Sequence, residues 1–319
     1  MSIVCFGGGI GATRLWRSLA DGIGQESLTL VVNTADDLWH YGLRVCPDID
    51  TVIYGLSGKQ DVERGWGLQD ESFTAMSALA ELGEDVWFNL GDRDLATHLI
   101  RTRMLGGGSS LTEVTSHLAR VNGVTTRVLP MCDEEVSTEV LEQGGDWTSF
   151  QEFHVRHRAE PLVRDVRYNG IERAKTPPAV LEALDSASLV ILGPSSPIAS
   201  ILPILSVGET RASMRDSRAP VVAVTPIVSG TPFINPGDAH RAKLRERLMA
   251  SVGLPHTAFA AASLYAGLAD FFIVDEADET EAPSIDGLGM RAVVAPTLTH
   301  INSSSTADLV RAVTELART

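Results

Sequence analysis

The sequence is short of basic residues. Its 319 residues include 26 Lys and Arg against 41 Asp and Glu, which gives a formal net charge of −15 at pH 7. Proteins that bind nucleic acids neutralise phosphates with clusters of Lys and Arg. The charge balance therefore argues against nucleic acid as a partner. The acidic excess could serve solubility alone, or part of it could hold a cation.

Cysteines and long apolar runs are also scarce. None of the three cysteines, Cys5, Cys46 and Cys132, stands in a C-x-x-C pair, so we expect a reducing compartment rather than a disulfide framework. No apolar run reaches the roughly 18 residues that a membrane span needs. The first residues resemble a strand rather than a signal peptide. We therefore expect a cytoplasmic protein with no membrane partner.

Short apolar runs separated by helical patterns predict the fold. Ile3–Phe6 is followed by a glycine loop, a helical pattern and the continuous apolar run Leu28–Val32. This order of strand, loop, helix and strand opens a doubly wound sheet. Runs of similar character recur at Leu189–Leu192, Val221–Val224 and Phe271–Val274, as is typical of parallel strands buried on both faces.

The predicted fold class is α/β: a Rossmann-like, doubly wound, mostly parallel sheet with an inserted smaller α/β segment. We assign residues 1–130 and 179–319 to the core and residues 131–178 to the insertion, where the pattern alternates like antiparallel strands. Within the insertion, residues 147–155 are predicted to be extended. In the core, residues 276–289 are predicted to form a surface loop. Ligands of such sheets bind where the strand order reverses.

A glycine loop follows the first predicted strand. The segment from Gly7 to Ala12 matches G-x-G-x-x-A, in which glycine lets backbone N–H groups approach a phosphate at a helix N-terminus. The same motif occurs in dinucleotide-binding domains, where an acidic residue about 20 positions later binds ribose. Asp36 lies near that place, so an NAD-dependent oxidoreductase stays open as an alternative.

Four carboxylates, Asp36, Asp37, Asp48 and Asp50, follow the second predicted strand. They repel one another unless a cation is present, and Mg²⁺ prefers hard oxygen ligands of this kind. In an extended segment, Asp48 and Asp50 would point to the same side. Alternatively, one of the two caps a helix that begins at Thr51. Metal binding and capping both remain open for this region taken alone.

A second polar block reads LGDRDLATH and is followed by Arg101. Asp92 or Asp94 could cap a helix, which would place Thr97, His98 and Arg101 over its first turns. An arginine here could clamp a phosphate bidentately. In the alternative interpretation, Asp94 pairs with His98 or Arg101 on a solvated face.

One histidine pair is rejected as a metal site. His154 and His157 have a spacing found among metal ligands, but they lie in and beside residues 147–155, which are predicted to be extended. Side chains three residues apart on a strand point to opposite faces. We therefore expect no ion to be shared between these two histidines.

Taken in order, several blocks resemble one family. GGGIGATRL, NTADDLWHYGLRVCPDIDTVIY, GWG, LGDRDLATHLIRT, LPM, FQEF, GPSSPIASILPIL and VAVTPI are together similar to the CofD/FbiA family of the coenzyme F-420 pathway. The second and fourth blocks are far more specific than the glycine loop. The chain departs from the family pattern at Ser196, where P-S-N-P is common, and at residues 233–239, where a K-G-P-A-type segment is common.

The resemblance implies a Mg²⁺-dependent, homodimeric transferase. Members of the family move a phospholactyl or phosphoenolpyruvyl group from a guanosine-diphosphate-linked donor to the ribityl hydroxyl of the deazaflavin Fo, and GMP leaves. Two alternatives are kept: a YvcK-like nucleotide-sugar-binding regulator, which shares the glycine-rich start, and the NAD-dependent oxidoreductase introduced above.

Resemblance and residue chemistry together predict a set of site residues. Asp50, which the resemblance places beside Fo and the metal, and Asp36 are the catalytic candidates. The predicted metal ligands are Asp36, Asp37, Asp48 and Asp50. The predicted substrate-binding residues are Asp50, Asn89, Asp92, Arg93, Thr97, His98 and Arg101. The predicted nucleotide- and phosphate-binding residues are Gly8, Gly9, Gly11, Ala12, Thr13, Pro194, Ser195, Ser196 and Ser200. The aromatic residues that could stack on a flat deazaflavin are Trp39, Trp66, Trp87 and Phe88.

Overall fold

Strands and helices alternate along most of the chain. The computed structural model describes residues 2–230, 236–298 and 304–318, so residues 233–235 of the segment that departs from the family pattern lie outside the described residues. The strands are β1 (Ile3–Gly7), β2 (Leu28–Val32), β3 (Leu38–His40), β4 (Leu43–Val45), β5 (Arg127–Pro130), β6 (Ser137–Glu142), β7 (Trp147–Ser149), β8 (Val163–Asn169), β9 (Leu189–Leu192), β10 (Val221–Val224), β11 (Phe271–Val274) and β12 (Arg291–Val294). The helices are α1 (Gly9–Ile23), α2 (Pro47–Leu56), α3 (Thr74–Glu81), α4 (Asp92–Gly106), α5 (Leu111–Val121), α6 (Pro178–Asp185), α7 (Leu202–Ser206), α8 (Thr210–Asp216), α9 (Pro236–Ser251), α10 (Ala258–Ser263), α11 (Ala282–Asp286) and α12 (Ser304–Glu315).

A seven-stranded sheet forms the centre of the protein, with the strand order β12-β11-β10-β9-β1-β2-β5. All neighbouring strands in it are parallel. The order reverses between β1 and β9: one part of the chain builds outward from β1 to β5, and a later part builds outward from β9 to β12. The predicted α/β, doubly wound class is confirmed.

Both faces of this sheet are covered. Alternate residues of a strand point to opposite faces, so Val4 and Phe6 join one apolar cluster while Ile3 and Cys5 join the other. Helices α6, α9 and α10 complete the first cluster, and helices α1, α2, α5 and α12 complete the second. Burial on both faces explains why the strand sequences are continuously apolar.

A small antiparallel sheet, with the order β7-β6-β8, lies between β5 and α6 in the chain. The prediction that the extended structure continues to residue 155 is wrong, because β7 ends at Ser149 and Glu152–Arg156 forms a helical turn. Phe150 and Phe153 are both buried in the first apolar cluster. Residues three apart can share a face on a helical turn but not on a strand.

The helices are short, and one helical segment differs from the prediction. In the ranges that the structure describes, no helix is both long and apolar enough to cross a bilayer. The surface loop predicted at residues 276–289 is wrong, because Glu276–Glu281 forms 3₁₀ turns and α11 follows directly. The Asp275 side chain accepts a hydrogen bond from the N–H of Ala277 and so caps this segment.

Candidate active site at the switch point of the sheet

A cavity of about 730 Å³ opens where the loops after β1 and β9 meet, at the reversal of the strand order. This volume is typical of small-molecule sites. Residues from α2 and the start of α4 line one side, and residues from α9 and the helical turn of the small antiparallel segment line the other. The cavity therefore lies where a doubly wound sheet usually binds its ligand.

The glycine loop is tightly packed against its neighbours. A Cβ atom on Gly8 would lie 1.8 Å from Oδ2 of Asp48, so only glycine fits there. The Ser195 hydroxyl accepts from the Gly8 N–H at 3.0 Å and donates to the Gly8 carbonyl at 2.9 Å. This pair of hydrogen bonds fixes the loop after β9 to the loop after β1. The Gly8 amide is therefore already used, and an anion at this helix N-terminus would meet Ile10 and Gly11 instead.

Asp36 and Asp48 form a buried carboxylate pair. The Asn33 side-chain amide donates to Asp36 Oδ1 at 2.8 Å and to Asp48 Oδ2 at 3.2 Å. Burial and the neighbouring carboxylates raise the pKa of Asp36 well above its usual value, and burial raises the pKa of Asp48 to about 7. Among the described residues, no arginine, lysine or histidine pairs with either carboxylate.

Asp50 lies in a different environment from Asp48. The expectation of an extended segment is wrong, because both residues lie in the first turn of α2, and two positions along a helix point to different sides. The Asp50 carboxylate forms an ion pair with Arg101, whose side chain is fully buried. Its Oδ2 lies 3.7 Å from Nδ1 of His98. Burial raises the pKa of Asp50, and Arg101 and His98 oppose that shift.

A chain of close polar contacts continues from Arg101 to Tyr54. Arg101 Nη1 lies 3.0 Å from His98 Nδ1, and because a guanidinium only donates, Nδ1 is the acceptor. The hydrogen of neutral His98 is therefore on Nε2, 3.4 Å from Asp94 Oδ2. The Tyr54 hydroxyl donates to Asp94 Oδ1 at 2.6 Å. The Asp94–His98 pair that was predicted for a solvated face is instead buried.

Two places in this cavity are candidates for a metal ion. Asp50, Asp94 and His98 offer ligand atoms within 4.8 Å of one another. However, Arg101 already neutralises Asp50 and occupies Nδ1 of His98. The Asp36–Asp48 pair has no such partner, and hard oxygen ligands suit Mg²⁺. The electrostatic need for a cation is therefore greater at Asp36 and Asp48.

The cavity collects many of the predicted site residues. Those that line it are Gly8, Gly9, Gly11, Asp36, Asp48, Asp50, Asn89, His98, Pro194, Ser195, Ser196 and Ser200. Of the four aromatic candidates, Trp66, Trp87 and Phe88 line it and Trp39 does not. The residue that replaces the family's asparagine, Ser196, accepts a hydrogen bond from the N–H of Ala199 and so caps the helical turn that follows.

Other predicted site residues do not line the cavity. They are Ala12, Thr13, Asp37, Asp92, Arg93, Thr97 and Arg101. Asp37 pairs with Arg44 at 3.2 Å on the far side of the β2 loop. Asp92 accepts from the Ser72 hydroxyl and from two amides at the start of α3, and these bonds hold its pKa well below the usual range. Arg93 donates to the Gln69 carbonyl on the surface.

The side of the cavity formed by α9 and the helical turn carries a group of cationic and imidazole side chains that the sequence did not reveal. We call this group the basic end; its members are Arg14, His154, Arg158, His240, Arg241 and Arg245. Burial, with Arg241 nearby, lowers the pKa of Arg245 to about 10. The spacing of Arg241 and Arg245 puts both on one face of α9, and that spacing is the signal available in the sequence.

A glycine loop, buried carboxylates and a basic end at the switch point of a parallel sheet define a doubly wound α/β protein with a candidate small-molecule site. The chain belongs to the CofD family of transferases, because the family model described as 2-phospho-L-lactate transferase CofD matches residues 3–287. The predicted resemblance is thus confirmed.

Individual relatives agree with this assignment. The chain is 39% identical over 322 residues to the phosphoenolpyruvate transferase of Streptomyces griseus, covering 99% of this chain and 98% of that protein. It is 37% identical over 296 residues to the 2-phospho-L-lactate transferase of Methanosarcina mazei, covering 93% and 94%. A crystal structure of a UPF0052 family member from Bacillus halodurans has a TM-score of 0.61 at 18% identity over 98% of each chain. That last likeness concerns the fold alone.

Proposed function

We propose that this chain moves a phospholactyl or phosphoenolpyruvyl group from a guanosine-diphosphate-linked donor to the ribityl hydroxyl of the deazaflavin Fo, releasing GMP, in coenzyme F-420 biosynthesis. Relatives that match almost the whole chain carry the names of transferases for these two groups. The structural observation that supports the proposal best is the Asp36–Asp48 pair, which is buried beside a phosphate-type glycine loop and has no basic side chain as a partner among the described residues. Membership in the CofD family favours this function over the regulator and the oxidoreductase.

The Asp36–Asp48 pair fits Mg²⁺. Both side chains offer carboxylate oxygens to the same place, and Asn33 holds one oxygen of each. When bound there, Mg²⁺ would withdraw charge from the donor diphosphate. Asp37 and Asp50, the other predicted ligands, already pair with Arg44 and Arg101. We therefore propose Asp36 and Asp48 as the protein ligands.

Asp50 is proposed to receive the acceptor hydroxyl. Arg101 binds one of its oxygens, and the other, Oδ2, is buried without a hydrogen-bond partner. A ribityl hydroxyl could therefore donate to Oδ2 and pass its proton there as the bond to phosphorus forms. Burial raises the pKa of Asp50 even with Arg101 beside it, which favours proton uptake, and phosphoryl transfer otherwise depends mostly on positioning and charge neutralisation.

The transfer itself forms one bond to phosphorus and breaks another. The ribityl oxygen bonds to the phosphorus that carries the three-carbon acid, and the bond from that phosphorus to the bridging oxygen breaks. The bridging oxygen and its electron pair leave as part of GMP. Trp66, Trp87 and Phe88 offer flat surfaces for the deazaflavin ring, and the basic end is placed to balance negative charge on the donor.

The direct test is product analysis. We expect GMP and a deazaflavin of increased mass when the protein is mixed with Fo, Mg²⁺ and a guanosine-diphosphate-linked lactate or enolpyruvate. Asp50→Asn should abolish the product, while Asp146→Asn, at an exposed position outside the cavity, should not. Absence of product from every three-carbon donor would refute the proposal. Thermal stabilisation by a UDP-sugar or by a nicotinamide cofactor, but not by Fo, would instead favour an alternative.

We also propose that the protein is a homodimer, as the family resemblance implies. Light scattering on the purified protein should give about twice the chain mass. A monomer at micromolar concentration would contradict this proposal without affecting the transfer chemistry.

A further inference from the structure

The basic end contains a stacked pair of histidines that the transfer chemistry above does not use. The rings of His154 and His240 lie with centroids 4.8 Å apart at 22°. Nε2 of His240 is 3.0 Å from Nδ1 of His154 and 3.1 Å from the His154 carbonyl oxygen. Phe150 stacks on the His154 ring, with centroids 5.6 Å apart. Both imidazoles line the cavity.

These contacts fix where the hydrogens lie. A carbonyl oxygen only accepts, so Nε2 of His240 must carry a hydrogen, which it shares between the His154 carbonyl and Nδ1. Nδ1 of His154 is then an acceptor. A proton added to Nδ1 of His154 would break this contact, whereas a proton added to Nδ1 of His240 leaves it intact. His240 is therefore the member of the pair that can gain a proton without rearrangement.

The surroundings keep both rings neutral. The charged groups that line the cavity with the pair, from α1, α9 and the segment after β7, are Arg14, Arg158, Asp238, Arg241 and Arg245, and Lys243 and Glu160 also act on His240. Arg241 forms an ion pair with Asp238, and Lys243 forms one with Glu160. Burial first, and then His240 and Arg241, lower the pKa of His154 to about 3. Burial first, and then Lys243 and Arg241, lower the pKa of His240, although its contact with the His154 backbone and the charge of Glu160 oppose that shift.

We propose that the basic end binds a phosphate oxyanion together with a proton, which His240 takes up at Nδ1. The anion would be a phosphate group of the donor, so the inference rests on the function proposed above. Arg241, whose charge disfavours an imidazolium, lines the cavity together with Arg14, Arg158 and Arg245, and these charges would attract the anion. Once the anion neutralises them, the same imidazolium becomes an additional positive partner for it.

The histidine ring signals report the proton directly. We would record the ring resonances of the histidines by NMR from pH 5 to pH 8 in three states: the free protein, the protein with sodium sulfate, and the protein with a guanosine-diphosphate sugar. Sulfate and the diphosphate diester carry no group that titrates near neutrality, so any proton taken up belongs to the protein. The ring resonance of His240 is identified as the one that is lost in the His240→Asn variant. If His240→Asn is unstable, His240→Gln is used instead. The signal of His117, on α5 and outside the cavity, monitors general salt effects, as does sodium chloride at equal ionic strength.

The expected result is that sulfate and the sugar nucleotide each raise the pKa of His240 by at least one unit, and that sodium chloride does not. Correspondingly, sulfate affinity should increase up to tenfold per pH unit as the pH falls between the two pKa values, and this dependence should disappear in His240→Asn. If neither anion moves the His240 pKa, the inference is wrong.

The two proposals can fail separately. Saturable binding of the sugar nucleotide that leaves the His240 pKa unchanged would overturn the inference and leave the transferase proposal standing. If sulfate raises the pKa of His240 but the sugar nucleotide does not bind, proton-linked anion binding is upheld. The proposal that the donor is guanosine-linked is then contradicted.

Discussion

Arg101 forms an ion pair with Asp50 while its own side chain is fully buried. Such a pair contributes little net stability, because desolvating both charges offsets their attraction. It does fix one carboxylate oxygen, and the other oxygen of Asp50 is left as a buried acceptor without a partner. The contact therefore makes Asp50 a rigid, charged acceptor at the edge of the cavity.

The first prediction concerns the coupling within this ion pair. Arg101→Met leaves the buried Asp50 carboxylate unpaired, and Asp50→Asn leaves the guanidinium unpaired, so each change should lower the free energy of unfolding by about 3–5 kcal/mol. The double variant should lose clearly less than the sum of the two. Urea unfolding of all four proteins at pH 8 measures the coupling. Additive losses would show that the pair is not an energetic unit.

The second prediction concerns Asp48. With its pKa raised to about 7, the Asp48 carboxylate is charged at pH 8 at a cost to folding. Without Mg²⁺, Asp48→Asn should therefore raise the free energy of unfolding by roughly 1–3 kcal/mol. With millimolar Mg²⁺, the unmodified protein should gain thermal stability and the variant should not.

Asp146→Asn is the matched control for Asp48, because Asp146 is exposed and outside the cavity. It should leave both the melting temperature and its response to Mg²⁺ unchanged. Equal Mg²⁺ stabilisation of the Asp48 variant and the unmodified protein would mean that the ion binds elsewhere.

The third prediction concerns pH and His154. The pKa of His154 in the fold is about 3, against 6.5 without the fold, so protons bind more tightly to the unfolded chain. The contribution of this residue is fully present above pH 6.5 and is lost progressively as the pH falls below it. Between pH 7 and pH 5 the unmodified protein should lose about 2 kcal/mol more than His154→Gln. Chemical unfolding at a series of pH values measures this difference, and parallel curves for the two proteins would contradict it.

The fourth prediction concerns the aromatic wall. Trp66 lines the cavity and is 39% exposed. The guanidinium of Arg64 lies over its ring, 4.9 Å from the centroid, so a flat ligand would stack on the opposite face. Trp66→Ala should weaken Fo binding about threefold to tenfold, which corresponds to a stacking contribution of roughly 0.5–1.5 kcal/mol. Fluorescence titration with Fo measures the affinity. Trp147→Ala is the control, since Trp147 lies in the small antiparallel sheet with Arg167 over its ring. Equal effects of the two changes would exclude stacking on Trp66.

The fold was predictable because burial on both faces leaves a direct mark in the sequence. Leu28–Val32 and Leu189–Leu192 are strands with the bounds that their apolar runs indicate. Glu276–Glu281 has no apolar pattern of this kind, and an acid-rich segment without one is predicted to be a loop. Its helical turns depend on the cap from Asp275, which local propensity alone does not reveal.

The site was predictable in its chemistry but less so in its geometry. The sequence placed four carboxylates after β2, and three of them, Asp36, Asp48 and Asp50, do line one cavity. The sequence could not show that the side chains of Asp48 and Asp50 point to different sides, because this depends on a helix that begins at Pro47. It likewise could not show that Arg101 is buried against Asp50, since the contact joins two helices far apart in the chain. From the sequence alone, Asp50→Asn would be expected to reduce turnover strongly with little loss of stability.

The two sides of the cavity have different origins in the chain. Phe150, Gln151, His154 and Arg158 come from the segment between β5 and α6, whereas the carboxylates follow the central sheet. Exchanging residues 131–178 between family members would therefore replace the part of the basic side that the insertion supplies, while α9 and the acidic cluster stay in place. Evolution could have adjusted the choice of donor by the same route, without disturbing the machinery of transfer.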